Sequence, residues 1–141
     1  MKIKSISIDA VRLIAFELAR EFYNEFEPIP DFDTRYEGKL ESCIAQPFLI
    51  IREKELYPSL TDKATILFYL LVKNHPFLNG NKRIAVMTLT TFLYTNNYWM
   101  NTKGKKLYNL ALDTAKSKTK DKDKTMKEIK RFLEENVSKL S

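Results

Sequence analysis

Apolar residues recur at helical spacing along most of the chain. Ile14, Leu18, Phe22 and Phe26 fall every four residues and Val11 and Ala15 widen the stripe, which predicts a helix over 9–26. Ser7 or Asp9 supplies a cap at its start, and Pro28 and Pro30 end it, because proline has no N–H to donate. Residues 28–36 read as extended chain or loop. A shorter helix is predicted over 38–46 with Leu40, Ile44 and Ala45 inward, stopped by Pro47. Residues 48–51, Phe-Leu-Ile-Ile, fit either a strand or a buried loop. The strongest helix covers 61–74; it is apolar through its middle, so it belongs at the centre of a bundle. His75 stands before Pro76, where the proline ring pushes the backbone out of the helical region. The next helix, 81–94, carries Ile84, Ala85, Thr88, Leu89, Phe92 and Leu93 on its apolar side, closes at Asn96 and Asn97, and leads into a short extended piece at 98–100. Two more helices are predicted: 105–116 with Leu107, Leu110 and Ala111 inward, and 125–140 with Met126, Ile129, Leu133 and Val137 at helical spacing. A lysine-rich loop lies between them. The pattern predicts an all-α chain of roughly six helices in a single domain, 1–141, without internal repeats.

Composition narrows the picture. The chain has 141 residues, 44% hydrophobic and 30% charged, the balance of a globular domain and not of a disordered one. One cysteine, Cys43, excludes an internal disulfide and a cysteine-rich metal site, so a reducing cytoplasm is the simplest compartment. Asp9, Arg12, Glu17 and Arg20 interrupt the first apolar stretch, which therefore reads as neither a secretory leader nor a membrane-spanning helix. The net charge of +6 is uneven: residues 1–100 hold 12 basic and 12 acidic groups, residues 101–141 hold 12 basic and 6 acidic. A basic tail can attract nucleic acid or an acidic partner. No aromatic residue interleaves the lysines of 116–127, so a solvated face is favoured and a nucleic-acid partner ranks last.

The chemistry concentrates in Asn74-His75-Pro76-Phe77-Leu78-Asn79-Gly80-Asn81-Lys82-Arg83, which holds the only histidine. A central helix, a tight polar loop and a second helix follow one another there. Backbone N–H groups at the start of the second helix have no partner within it, and with the helix dipole they form an anion site. Gly80 allows close approach and a backbone conformation closed to other residues. Lys82 and Arg83 are electrostatically misplaced at a bare helix N-terminus and make sense where an anion is to be held. The ordinary pKa of an imidazole, about 6.5, suits His75 to taking a proton from a hydroxyl. Asn79 offers an amide oxygen to Mg²⁺, which is commonly held by few protein groups plus phosphates and water. Asn79 and Asn81 also fit as turn and cap residues, Lys82 and Arg83 as solvated charges, and Phe77 as an apolar plug.

HPFLNGNKR resembles the active-loop motif of the Fic/Doc superfamily, His-x-Phe-x-(Asp/Glu)-Gly-Asn-x-Arg. Lysine between Asn81 and Arg83 is nearer the death-on-curing (Doc) branch than the Fic branch, which has glycine there. Leu40 to Pro47, Leu-Glu-Ser-Cys-Ile-Ala-Gln-Pro, is similar to the family's segment before the central helix. The resemblance implies a Fic-fold helical bundle around a central helix pair, with room for a short extended flap. It implies His75 as general base, Gly80 and Asn81 as an anion hole, Arg83 and Lys82 on nucleotide phosphates, and Phe77 as core anchor. Asn79 departs from the acid that binds magnesium in the family. Fic proteins move AMP from ATP to a protein hydroxyl; Doc moves the terminal phosphate to a threonine of elongation factor Tu and arrests translation. The resemblance therefore implies a toxin that uses ATP and Mg²⁺ to phosphorylate a Ser/Thr hydroxyl of a protein. AMP transfer and a weakened nucleotide- or partner-binding module are the alternatives. The family's inhibitory pattern, (Ser/Thr)-x-x-x-Glu-(Gly/Asn), finds no match: Arg131…Glu135-Asn136 and Asp33…Glu37-Gly38 lack the hydroxyl residue. A separate antitoxin protein is thus implied.

Overall fold

The computed structural model describes residues 2–21, 28–102 and 104–140. The all-α expectation holds: among the described residues six helices dominate, with only short strands. Helix α1 runs over 8–21 in three contiguous pieces, Ile8–Ala10, a π-helical turn Val11–Ala15, and Phe16–Glu21. Ser7 caps it, accepting the Ala10 N–H at 3.0 Å. The π turn shifts the phase of the stripe. Val11, Ala15, Phe16 and Ala19 point inward, whereas Ile14, expected inside, is exposed and Leu18 is half-buried. Phe22 and Phe26 lie outside the described residues.

A 3₁₀ turn at Phe32–Thr34 precedes α2 (Lys39–Ala45), and a second at Gln46–Phe48 follows it. Leu40 and Cys43 face the core, but Ala45 is exposed, since it sits at the end where the helix tightens into the Pro47 turn. The ambiguous apolar run resolves as strand β1 (Ile50–Ile51), paired antiparallel with β2 (Lys54–Glu55), Ile50 opposite Glu55. Both strands are exposed, and Arg52 and Glu53 at the turn have φ of 52° and 66°. Such backbone favours hairpin closure but usually calls for glycine or asparagine.

The two longest apolar elements, α3 (Leu60–Lys73) and α4 (Asn81–Thr95), pack against each other at the centre. Ser59 and Asp62 form a reciprocal capping box at the start of α3. All six residues expected on the apolar side of α4 are buried. Helix α5 (Gly104–Lys116) packs on α4, and α6 (Lys122–Asn136) packs on α3. The last helix begins earlier and ends earlier than its periodicity predicts. The lysine-rich stretch is not wholly loop: Thr119–Asp121 is a 3₁₀ turn and Lys122 already starts α6. Val137 leaves the helix for β4 (Val137–Lys139), which pairs with β3 (Tyr98–Met100), so β-branched Val137 faces Met100 across a ladder. No helix among the described residues is long and apolar enough to cross a membrane.

Buried polar groups are paired with few exceptions. The buried ammonium of Lys63 donates to the carbonyls of Pro47 (3.2 Å) and Tyr57 (2.5 Å) and to Glu55 Oε1 (3.1 Å). Its three protons thereby fasten both roots of the β1–β2 hairpin to α3. Thr90, Thr91 and Thr95 each donate to the carbonyl four residues back. Thr88 differs: its hydroxyl is buried and, among the described residues, has no partner. Removing an unsatisfied hydroxyl while keeping the side-chain shape relieves its desolvation. Thr88→Val is therefore expected to raise unfolding stability by about 1 kcal/mol in urea titration; destabilisation would mean that the hydroxyl is satisfied in solution.

Candidate active site

The turn between α3 and α4 is set by three constraints. Asn74 caps α3, its N–H donating to the Leu70 carbonyl at 2.8 Å. His75 then adopts φ 47°, left-handed backbone that a non-glycine residue seldom takes; it lies outside the right-handed helical region, as its place before Pro76 predicts, but not in the extended region that a following proline favours. The Pro76 carbonyl accepts the Tyr36 N–H at 2.9 Å, which ties the turn to the segment ahead of α2. Phe77 is buried among the rings of Phe16 and Phe32, with centroids at 5.5 and 5.8 Å. It is the apolar anchor of the loop, and the chain on either side of it is consequently fixed.

Asn81 completes the turn. Its side chain is buried; Oδ1 accepts the Phe77 N–H at 2.9 Å and Nδ2 donates to the Phe77 carbonyl at 3.0 Å. One amide thus satisfies both backbone groups of one buried residue. Asn79 is exposed, and its Oδ1 accepts the Gly80 N–H at 2.9 Å. Gly80 is the N-cap of α4 with φ 72°. A Cβ there would lie 2.5 Å from Ile29 Cδ1 and 2.9 Å from the Pro28 carbonyl oxygen, so only glycine fits, and the neighbour that approaches it is the 28–29 segment.

The two cations part company. Lys82 is half-buried in the first turn of α4. Arg83 is only 2% exposed, and its guanidinium donates to the Ala19 carbonyl in the last turn of α1. His75 is exposed. It borders an open depression of about 610 Å³ lined also by Glu37, Lys39, Ser42, Lys73 and Asn74. Lys73 is committed there: its ammonium donates to the Ser117 carbonyl at 2.5 Å, holding the end of α5. Lys39 lies over the Tyr36 ring at 4.7 Å. The sequence carries no signal for Tyr36 or Lys39, because they reach the turn only through the fold. Cys43 is no rival nucleophile: burial pushes its thiol up to about 11, against the lesser opposing effect of a hydrogen bond with Asn74, so it stays protonated near neutral pH.

The local chemistry therefore comprises an exposed imidazole, a glycine N-cap, and the first-turn N–H groups of α4, which helix geometry leaves without a carbonyl of their own helix. Among the described residues no three His, Cys, Asp or Glu side chains gather to hold a metal. A metal ion there would depend chiefly on phosphates and water, and the Asn79 amide oxygen, which accepts the Gly80 N–H, would have one lone pair left to offer it.

A family model described as the Fic/DOC family matches residues 5–93, more than half of the chain. A curated relative, Toxin Doc of Mycolicibacterium smegmatis (strain ATCC 700084 / mc(2)155), is 39% identical over 59 residues, 42% of this chain and 45% of that protein. The match thus spans under half the length of that relative. No solved structure matches the chain at a significant level.

The Asn81 clasp has a measurable consequence. Asn81→Ala strands a buried N–H and a buried C=O of Phe77, and a loss of about 1–3 kcal/mol in unfolding stability is expected. Asn81→Asp keeps the acceptor for the Phe77 N–H but sets a carboxylate against the carbonyl, so it is expected to rescue little. Urea titration of both variants checks this; stability equal to wild type would mean that the clasp is not formed in solution.

Proposed function

Since the chain belongs to the Fic/DOC family, whose members are in general transferases, we propose that it transfers the terminal phosphate of ATP to a Ser/Thr hydroxyl of a target protein. The observation that carries this reading is the turn itself: an exposed histidine held five residues before a glycine-capped helix N-terminus. In the reaction, an imidazole nitrogen of His75 takes the hydroxyl proton as the oxygen attacks the terminal phosphorus. The bond to the bridging oxygen breaks, and ADP leaves. The N–H groups at the start of α4 and the Lys82 ammonium balance the phosphate charge. A phosphate contact from Arg83 requires its guanidinium to turn from the Ala19 carbonyl. A bound Mg²⁺ would supply further charge neutralisation on the phosphates.

In this reading the protein is a toxin, as the name of its mycobacterial relative suggests, and a separate antitoxin protein restrains it. Elongation factor Tu is the target the Doc resemblance implies. The lysine at position 82 favours phosphate over AMP transfer, because a second cation beside Arg83 changes how the triphosphate lies. A second reading, a nucleotide- or partner-binding module without turnover, draws support from the amide at Asn79 and the inward-turned Arg83.

Incubation with cell lysate and ATP labelled at the α or the γ phosphate distinguishes these. Label from γ-labelled ATP alone is expected on protein; label from α-labelled ATP means AMP transfer, and none from either supports the binding module. His75→Ala is expected to fold and to lose about 10²–10⁴-fold in transfer rate. Growth arrest by the alanine variant would remove His75 from catalysis.

Asn79 generates a further expectation. A carboxylate brings a full charge to Mg²⁺ where an amide brings a partial one, at nearly the same size. Asn79→Asp is expected to lower the Mg²⁺ concentration for half-maximal transfer without lowering the maximal rate. A titration with an unchanged or raised midpoint would show that Asn79 does not stand where the family's metal-binding acid stands.

A further inference from the structure

The lysine-rich stretch after α5 lies at the His75 end of α3, and two contacts place it there. Lys73, in the last turn of α3, donates through its ammonium to the Ser117 carbonyl at 2.5 Å. One turn earlier on the same face of α3, the Tyr69 ring lies under the Lys122 ammonium, 5.6 Å from the ring centroid. The chain from Ser117 to Lys122 is thereby laid along one stripe of α3. That stripe ends two residues before His75, and Lys73 is itself part of the lining of the depression of about 610 Å³ that His75 borders.

Lys116, Lys118, Lys120 and Lys122 are all exposed. None of them has an ion pair among the described residues. The acids nearby are Asp113, whose carbonyl accepts the Ser117 N–H, Asp121 within the run, Asp123 just after it, and Glu37 in the depression. None of these is paired with the four lysines either. Like charges set so close repel one another, and a ligand of opposite charge relieves that repulsion. The sequence alone favours a solvated face for these lysines, because it does not show that the fold sets them beside the candidate active site.

Three observations favour a carboxylate-bearing polypeptide over a nucleic acid. All four cations are lysines, and the guanidinium fork that matches a phosphate is absent from the run. Asp121 and Asp123 stand among them and would meet a continuous phosphate backbone with like charge. Tyr69, whose ring Lys122 covers, is 4% exposed and offers no face on which a base could stack. The carboxylates of a peptide are discrete and can sit beside the lysines while missing the aspartates.

We propose that the lysines at 116–122 dock an acidic segment of the protein whose hydroxyl enters the depression beside His75, so that local negative charge selects the target. The inference rests on the transfer reading above and names its substrate class. One side chain, that of Lys73, spans the gap between the depression and Ser117. An extended chain advances about 3.3 Å per residue, so acids about three to six positions from the accepting Ser or Thr reach the lysines. Each exposed lysine–carboxylate pair is weak, and such pairs act chiefly on the rate of encounter, which suits a substrate that must leave after reaction.

The probes are fluorescent peptides of about 12 residues, with one threonine followed by a run of glutamate or of glutamine, and an oligouridine of similar length. By anisotropy at low salt the glutamate peptide is expected to bind about tenfold or more tighter than either other probe, with the preference shrinking as salt rises. Lys116→Gln, Lys118→Gln, Lys120→Gln and Lys122→Gln together are expected to erase the preference. Glutamine at Lys2, Lys4, Lys105 and Lys106 removes the same charge at the other end of the bundle, where Lys105 and Lys106 start α5 and Lys4 meets Asn96. That control is expected to keep the affinity within about twofold, which separates a site from net charge. Should the first variant not fold, the one that retains Lys122 over Tyr69 takes its place. A spin label on His75→Cys, selective because Cys43 is buried, is expected to broaden the NMR signals of the bound peptide at its threonine. The initial rate of transfer from γ-labelled ATP to lysate protein is expected to fall in the lysine variant at low salt, the gap closing at high salt. Equal affinity for the two peptides, an equal loss in the control, no broadening, or a transfer rate that the lysine changes leave intact overturns the proposal. Tighter binding of the oligouridine through the same lysines overturns it too and makes a nucleic acid the partner. Absence of transfer by the wild-type protein sinks the catalytic reading and leaves the binding measurements to decide the docking.

Discussion

Phe77 is held twice, and most of what the molecule presents depends on that. Its ring is locked between Phe16 and Phe32, which come from α1 and from the 3₁₀ turn ahead of α2. Its backbone is locked by the Asn81 side chain, which takes its N–H and gives to its carbonyl. The ring fixes where the turn sits in the core, and the amide fixes how the turn enters α4. Between those two points Gly80 must be left-handed, and on the other side His75 must be left-handed as well. Glycine takes that conformation without steric cost, so the strain falls on His75 alone, of order 1–3 kcal/mol for a non-glycine residue. Strain of this size persists only where the surroundings over-determine the backbone, as the Phe77 ring and the Asn81 amide do. The exposed imidazole and the helix N-terminus are then held in fixed relation by the segment between them.

A second buried polar group plays a comparable part further along. Lys63 has no packing reason to be a lysine, since an apolar side chain of similar volume would serve the core at least as well. Its carbonyl and carboxylate partners lie on both roots of the β1–β2 hairpin. Without it the hairpin would be a two-stranded ribbon of exposed isoleucines, marginal by itself in water. Directional bonds to both roots give it one orientation. Burial of a charge thus fixes position at the hairpin, as burial of an amide does at the turn.

These devices explain what could and could not be read from the sequence. The central pair α3 and α4 was legible, because apolar residues at helical spacing report burial directly and Ser59, Asp62, Pro76 and Gly80 punctuate them. The segment proposed as the site stands out in the sequence as well, since a histidine, a glycine and two cations fall within nine residues across the turn and the start of α4. What escaped depends on long-range partners. Val137 continues the helical spacing of α6 but finds Met100 across a ladder, and pairing overrides periodicity. Ile14 continues the stripe of α1, but the π turn inserts a residue's worth of rotation that no spacing announces. Arg83 reads as a surface cation in the first turn of α4; its burial follows from the arrival of Ala19, 64 residues earlier in the chain. The Asn81 side chain fits an N-cap by residue type, yet Gly80 is the cap and Asn81 turns back into the loop.

Helix α1 reaches the candidate site through one of its own carbonyls. At Ala19 it receives the Arg83 guanidinium from the start of α4. A guanidinium that is 2% exposed cannot leave a carbonyl for solvent cheaply, but it can exchange one oxygen for another, and a phosphate oxygen carries more charge than a peptide carbonyl. Nucleotide binding that recruits Arg83 would therefore take a donor from the Ala19 carbonyl, while the buried Phe16 and Ala19 keep the last turn of α1 in the core.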